Sequence, residues 1–201
     1  MRMVLKWVPT PLADGTPYLT VTFTDPSGNE SSPSAALPVT IDGTVPTTPA
    51  APVLDPASDT GTVGDGITSA TTPTLTGTDG TAGDTVTLYA DGAEVGTATV
   101  LPDGSYSVTP TAPLADGTPN LTVTFTDPGG NESVASPALP LTIDAAAPTV
   151  PTINGPIEGD DFISAAEQAD VSVAGTAEAN STVDVTFTDG SGNTETAQVT
   201  A

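Results

Sequence analysis

Residues 113–144 read PLADGTPNLTVTFTDPGGNESVASPALPLTID, and residues 11–42 read PLADGTPYLTVTFTDPSGNESSPSAALPVTID. Extended to the prolines that follow, the copies at 11–49 and 113–151 share 29 of 39 positions. Self-similarity at a period of about one small domain marks a chain built from copied modules. Function then resides in stacking and number as well as in any single site. Within each copy the run LTVTFT alternates apolar and Thr residues, the period of two that sends successive side chains to opposite faces of a sheet. The DPGGN or DPSGN that follows is turn chemistry, since Gly and Asn tolerate positive φ and Pro presets a turn.

Working outward, residues 43–144 make one complete period. Residues 1–42 read as the C-terminal part of an earlier unit, with 1–10 poorly matched, and 145–201 as the N-terminal part of a third. Both ends of the sequence are thus expected to fall inside a repeat. The head of the third unit follows from three matches in order: Ile67-Thr68-Ser69-Ala70 with Ile163-Ser164-Ala165-Ala166, Leu75-Thr76-Gly77-Thr78 with Val173-Ala174-Gly175-Thr176, and Thr85-Val86 with Thr182-Val183. A rival match of 185–189 to 123–127 breaks that order and is set aside.

The complete unit predicts an all-β sandwich of about seven strands. They are expected at 52–54, 72–78, 85–90, 94–100, 105–109, 121–126 and 139–143, separated by turns such as Ala90-Asp91-Gly92 and Pro102-Asp103-Gly104. The period-2 pattern places Leu75, Val86, Leu88, Val95, Tyr106, Val108, Leu121, Val123, Phe125, Leu139, Leu141 and Ile143 in the core. Helix is almost absent; only 164–169 could form a turn.

Charge narrows the partners. Arg2 and Lys6 are the only Lys or Arg residues, Asp and Glu number 25, and the net charge is -23. Nucleic acid and anionic membrane surfaces both require Lys and Arg, so neither is an expected partner. The counter-charge must come from solvent, with divalent cations the obvious source. Hydrophobic residues at 36 %, arranged in alternating runs, argue against disorder. Cys and His are absent, which removes disulfides, thiolate chemistry, zinc clusters and most nucleophile–base pairs. No apolar run approaches the roughly 18 residues of a membrane span. No enzymatic activity is expected.

Taken together, the TID end, the Pro-containing joint, GT-x-TV, DGSY, PLADGT and VTFTDPGGNES resemble the tandem bacterial immunoglobulin-like repeats of large secreted adhesins. These are the biofilm-associated and RTX-type proteins exported by type I secretion, and the resemblance covers residues 11–201. The segment 158–167 is similar to the EGDNVINAAE stretch of such arrays. The resemblance implies an extracellular or cell-surface stalk that extends a distal ligand-binding domain, packs against neighbouring repeats of the same chain and is stiffened by Ca²⁺ at the joints. Calcium takes six to eight oxygens from carboxylates, carbonyls and water, which Asp-rich loops supply without His or Cys. On this reading Asp42 and Asp65 at the first joint, and Asp144 and Asp161 at the second, are the leading ligands. Asp55, Asp59, Asp160 and Glu167 are further candidates, and Asp25, Asn29, Asp127 and Asn131 are weaker ones, because Asp and Asn also serve turns. The glycine-rich nonapeptide repeat of RTX proteins is missing.

Two other readings stay open: a module that binds a carbohydrate or a surface, and a spacer in a secreted multidomain enzyme. Aromatics at 4 % give the binding reading no cluster to stand on. The stretch 12–18 resembles the tyrosine corner of immunoglobulin-like folds, with Asn120 replacing Tyr18 in the second copy. Strand edges left open in the incomplete end units are expected to recruit strands from other copies, giving head-to-tail self-association.

Overall fold

The computed structural model describes residues 12–159, 163–164 and 171–201. The chain divides into two compact units, Met1–Ala145 and Ala146–Ala201. The first begins with a ribbon in which strand β1 (Tyr18–Leu19) pairs with β2 (Leu37–Pro38). Next come β3 (Val53–Leu54), β4 (Ile67–Thr68), β5 (Leu75–Gly77), β6 (Thr85–Ala90), β7 (Ala93–Thr99), β8 (Tyr106–Val108), β9 (Asn120–Thr126), β10 (Leu139–Pro140) and β11 (Thr142–Ile143). One sheet has the order β3-β5-β8, the other β10-β9-β6-β7, and β11 lies parallel to β4. Two sheets whose inner faces share one core make a β-sandwich of immunoglobulin type.

The core follows the alternation. Leu75, Val86, Leu88, Tyr106, Val108, Leu121, Val123, Phe125, Leu141 and Ile143 are buried as expected, and Val100 joins them. Val95 and Leu139 are only partly buried and pack against the rim of that core. Tyr106 meets Phe125 edge to face, with ring centroids 5.6 Å apart at 79°. Gly77 sits directly opposite Tyr106 in the ladder, and a Cβ there would overlap the tyrosine ring. The glycine of the GT motif is therefore a seat for an aromatic side chain. The β6–β7 hairpin turns on Asp91 and Gly92, both at positive φ, as a two-residue hairpin turn requires.

Two strand expectations need correction. The single strand at 139–143 is two: Pro140 has no N–H to continue a ladder, and the chain leaves β9 there to pair Thr142 and Ile143 with β4. β4 itself, absent from the expected set, exists because that crossing gives Ile67 and Thr68 a partner. The helical turn expected at 164–169 lies almost wholly outside the described residues, and a short 3-10 turn occurs at Ile157–Gly159.

The ribbon of residues 12–42 repeats the local bonding of 114–144. Phe23 N–H donates to Ser31 Oγ at 2.9 Å as Phe125 N–H donates to Ser133 Oγ at 2.9 Å. Val21 and Ser34 repeat Val123 and Ser136 in the same way. Burial does not repeat: Phe23 is 62 % exposed and Phe125 1 %. Tyr18 is 72 % exposed, and among the described residues its hydroxyl fastens no crossover of the tyrosine-corner kind.

In the second unit β12 (Thr152–Asn154) pairs with β13 (Ala174–Thr176), and β14 (Thr182–Thr188) with β15 (Thr194–Thr200). Asn180 N–H donates to Ala201 O and Ala201 N–H to Ser181 O, as Gly83 N–H donates to Val100 O and Val100 N–H to Asp84 O. β14 and β15 therefore take the places of β6 and β7. No helix among the described residues is long and apolar enough to cross a membrane.

The same phenylalanine in two settings makes a direct comparison. Phe125→Ala should destabilise the complete domain by about 3–5 kcal/mol, the usual cost of emptying a buried aromatic site. Phe23→Ala should change its denaturant midpoint by no more than about 0.5 kcal/mol equivalent. Urea unfolding of the two variants, followed by fluorescence and circular dichroism, checks this.

Candidate functional site

The carboxylates separate by what they hold. One set grips the proline-punctuated segments that begin and end each repeat. Asp14 Oδ1 accepts the Gly43 N–H at 2.8 Å and its Oδ2 the Thr44 hydroxyl at 2.5 Å. In the second copy Asp116 Oδ1 accepts the Ala145 N–H at 3.0 Å. At the entry side Asp79 Oδ2 takes the Ala50 N–H at 2.6 Å. Within the second unit Glu178 Oε2 takes the Thr149 N–H at 3.2 Å. Proline-rich backbone has few N–H groups and no ladder partner for those it has, so an ionised acceptor is an effective clamp. The Thr44 hydroxyl and the Gly43 N–H hold the Asp14 carboxyl below its ordinary range.

The second set closes loops on themselves. Asp25, Asp127 and Asp189 each accept the backbone N–H of the Asn four residues on, at 2.9, 2.9 and 2.8 Å. The other oxygen of each takes that Asn's side-chain amide, at 2.9, 2.9 and 2.7 Å. These bonds to Asn29, Asn131 and Asn193 are the main reason all three carboxyls sit below the usual carboxylate range. Asp25, Asn29, Asp127 and Asn131, the weaker metal candidates, are thus engaged in turn formation. Buried Asp84 behaves in the opposite sense: desolvation, then repulsion from Asp127, raises its pKa.

Asn131 also reaches across the first joint. Its Nδ2 donates to the Asp42 carbonyl at 3.1 Å, docking the end of the ribbon on the 127–131 loop within the same compact unit. This contact and the clamps by Asp14, Asp79, Asp116 and Glu178 escaped the sequence reading. The retention of ADG and GGN or SGN in both copies was the available signal for Asp14, Asp116 and Asn131.

The expected calcium ligands are placed as follows. Asp42 Oδ1 accepts the Thr44 N–H at 3.2 Å, Asp55 Oδ1 the Ala57 N–H at 2.8 Å, and Asp65 Oδ1 the Ile67 N–H at 2.8 Å. Asp59 Oδ2 accepts the Gly64 N–H at 2.7 Å, while its Oδ1 is buried without a hydrogen-bond partner. Asp144 donates its N–H to Thr68 O at 2.9 Å. Among the described residues no three acidic side chains converge on one point. Asp160, Asp161 and Glu167 lie outside the described residues. The unpartnered Asp59 oxygen lies in the loop 55–66 that follows the first joint.

A family model described as a bacterial Ig-like domain matches residues 44–145. No curated protein matches the chain.

The loop carboxylates set a pH dependence. A group whose folded pKa lies below its ordinary 3.8 adds stability above that value, and the stability is lost as pH falls through the folded value. Asp127→Ala should therefore be less stable than the parent at pH 6, with the difference shrinking toward pH 3. Thermal melts at stepped pH read this, and a gap that stays constant would mean the loop bonds do not depend on the charge.

Proposed function

The chain belongs to the bacterial Ig-like domain family, and on that premise we propose that it is an extender segment of a bacterial cell-surface adhesin, whose work is reach and stiffness. The observation that carries this reading is the carboxylate clamp on the joint. Asp14 and Asp116 hold the segment leaving a repeat at corresponding positions, and Asp79 and Glu178 hold the segment entering one. A repeat unit that spends its acidic side chains on fixing its own connections is built to transmit direction from one domain to the next. The 127–131 and 189–193 loops close on their own Asn residues.

Calcium is proposed as the ion that stiffens the first joint and its loop. The Asp59 Oδ1 would be the anchoring ligand, with backbone carbonyls and water completing a shell to which few carboxylates contribute. Such a low-charge site belongs to the weak class, with Kd on the order of 10⁻⁴–10⁻³ M. Export to the cell surface and the presence of further repeats in the parent protein form part of the same proposal. No catalytic role is proposed.

Thermal unfolding in EDTA, in millimolar CaCl₂ and in NaCl of matched ionic strength tests the ion. Calcium should raise the melting temperature beyond the NaCl control, by RT ln(1 + [L]/Kd) in free energy, and Asp59→Asn should abolish the excess. Equal effects of the two salts would reduce the role of calcium to screening of the -23 charge. The extender reading would then rest on the clamps, and Asp14→Ala or Asp79→Ala should broaden the distribution of chain dimensions seen by small-angle scattering.

A further inference from the structure

The same five-residue loop occurs three times, as DPSGN at 25–29, DPGGN at 127–131 and DGSGN at 189–193. Its fourth residue requires glycine, since Gly28, Gly130 and Gly192 lie at φ of 89°, 89° and 84°. Its third residue does not. Gly129 is not at positive φ, and Ser27 and Ser191 occupy the same place while Asp25–Asn29 and Asp189–Asn193 close as Asp127–Asn131 does. A Cβ at 129 would meet Asn131 Nδ2 and Asp127 Oδ1 at 3.1 Å each, contacts internal to the loop that the serine copies accommodate. The remaining neighbour is the Asp42 Cβ at 3.3 Å, which belongs to the end of the ribbon. Backbone conformation and loop closure therefore leave the glycine unexplained, and the approach of Asp42 accounts for it.

We propose that the 127–131 loop is a socket for the TID end of the copy that precedes it, and that residue 129 sets how tightly the socket closes. The inserted end is preformed. Ile41 exchanges N–H···O bonds with Gly15 at 2.8 and 2.9 Å, and Asp14 holds the Gly43 N–H and the Thr44 hydroxyl, so the backbone on both sides of Asp42 is fixed on its own ribbon. The Asp42 carbonyl then accepts the Asn131 side-chain amide at 3.1 Å. An amide NH₂ has two donors, and Asn131 spends one on Asp127 Oδ2 to hold the loop and one on Asp42 to hold the joint. The end of the complete domain is built alike: Ile143 exchanges bonds with Gly117 at 2.8 and 2.8 Å, and Asp116 holds the Ala145 N–H. With both sides formed beforehand, docking requires little further ordering. A side chain at 129 pushes Asp42 outward by a few tenths of an ångström and stretches an amide bond already at 3.1 Å, near the long end of the normal range. The inference rests on the extender reading and deepens it, by naming one position that stiffens or frees a joint without altering the fold. Calcium has no part in it.

NMR relaxation of the backbone amides, measured on the whole chain in EDTA, tests it. In the parent, residues 12–42 should tumble together with residues 44–145. Gly129→Ser should shorten the correlation time of 12–42 relative to the domain and shift the Gly43 backbone amide and the Asn131 side-chain amide. The Asn29 amide and the ring resonances of Tyr106 and Phe125 should stay in place, which marks the domain as folded. Gly129→Ala should do the same, because the obstacle is the Cβ, and Ser27→Gly should move none of these signals outside its own loop. Unchanged relaxation and amide shifts in Gly129→Ser overturn the inference and leave the extender reading standing. An effect of serine that alanine lacks also overturns it, since the hydroxyl would then be the cause. Residues 12–42 tumbling independently in the parent overturn both.

Discussion

Everything in the complete domain depends on keeping one strand face dry. Leu121, Val123 and Phe125 alternate along β9 and cannot leave water unless a second sheet covers them, and the sheet β3-β5-β8 does so with Leu75, Tyr106 and Val108. Each such side chain gains about 1.5–3 kcal/mol on full burial, so three on one strand outweigh any single loop or clamp in the molecule. The ribbon of residues 12–42 is the control supplied by the chain itself. It has the same face, the same turn and the same serine bonds, and Leu19, Val21 and Phe23 remain exposed because no sheet covers them among the described residues.

Hydrogen bonding and packing therefore operate at different ranges in this protein. The Asp–Asn loops and the Ser-to-backbone bonds connect residues within about a dozen positions and form wherever the motif occurs, covered or not. The core connects Leu75 with Phe125 and Ile143 and forms only where the whole period is present. A repeat whose hydrogen-bonded parts are local and whose core is non-local can be copied as a motif but is stabilised as a unit. The acidic charge fits this division. With 2 Lys or Arg against 25 Asp and Glu, most carboxylates have no cationic side chain to pair with, and at the joints and loops they serve as acceptors for backbone N–H groups.

The period-2 pattern made the sandwich and its core legible because each apolar residue in it answers to one question, which face it lies on. The pattern misjudged positions where a tertiary event intervenes. Pro140 ends one ladder and the chain begins another with β4, an exchange of sheets that local propensity cannot express. Val100 lies past the last residue of β7 and is buried by the sandwich closing over it, with its N–H and carbonyl bonded to the turn at residues 83–84. The candidate site was legible only in its residue types. Asp is expected at turns and at metal sites alike, and the sequence holds no term that separates Asp59, with a buried unpartnered oxygen, from Asp55 and Asp65, whose side chains each cap a turn. The clamps were hidden for a different reason. Asp14 and Gly43 are 29 residues apart, a span that local reading does not bridge, and the same holds for Asp79 and Ala50.

Repetition adds a constraint that a single domain lacks. The LTVTFT run occurs twice in this chain, at 19–24 and at 121–126, so both copies offer the same alternation to a neighbouring strand. Small differences between the copies bear on this. Where the complete domain has Ala90 opposite Leu121, the third unit has Phe187, and where the second copy has Asn120 bonded to Asp91, the first has an exposed Tyr18. Such substitutions leave the alternation intact and change the bulk and polarity at the strand ends. There they alter which strand fits beside which without touching the core that every unit shares.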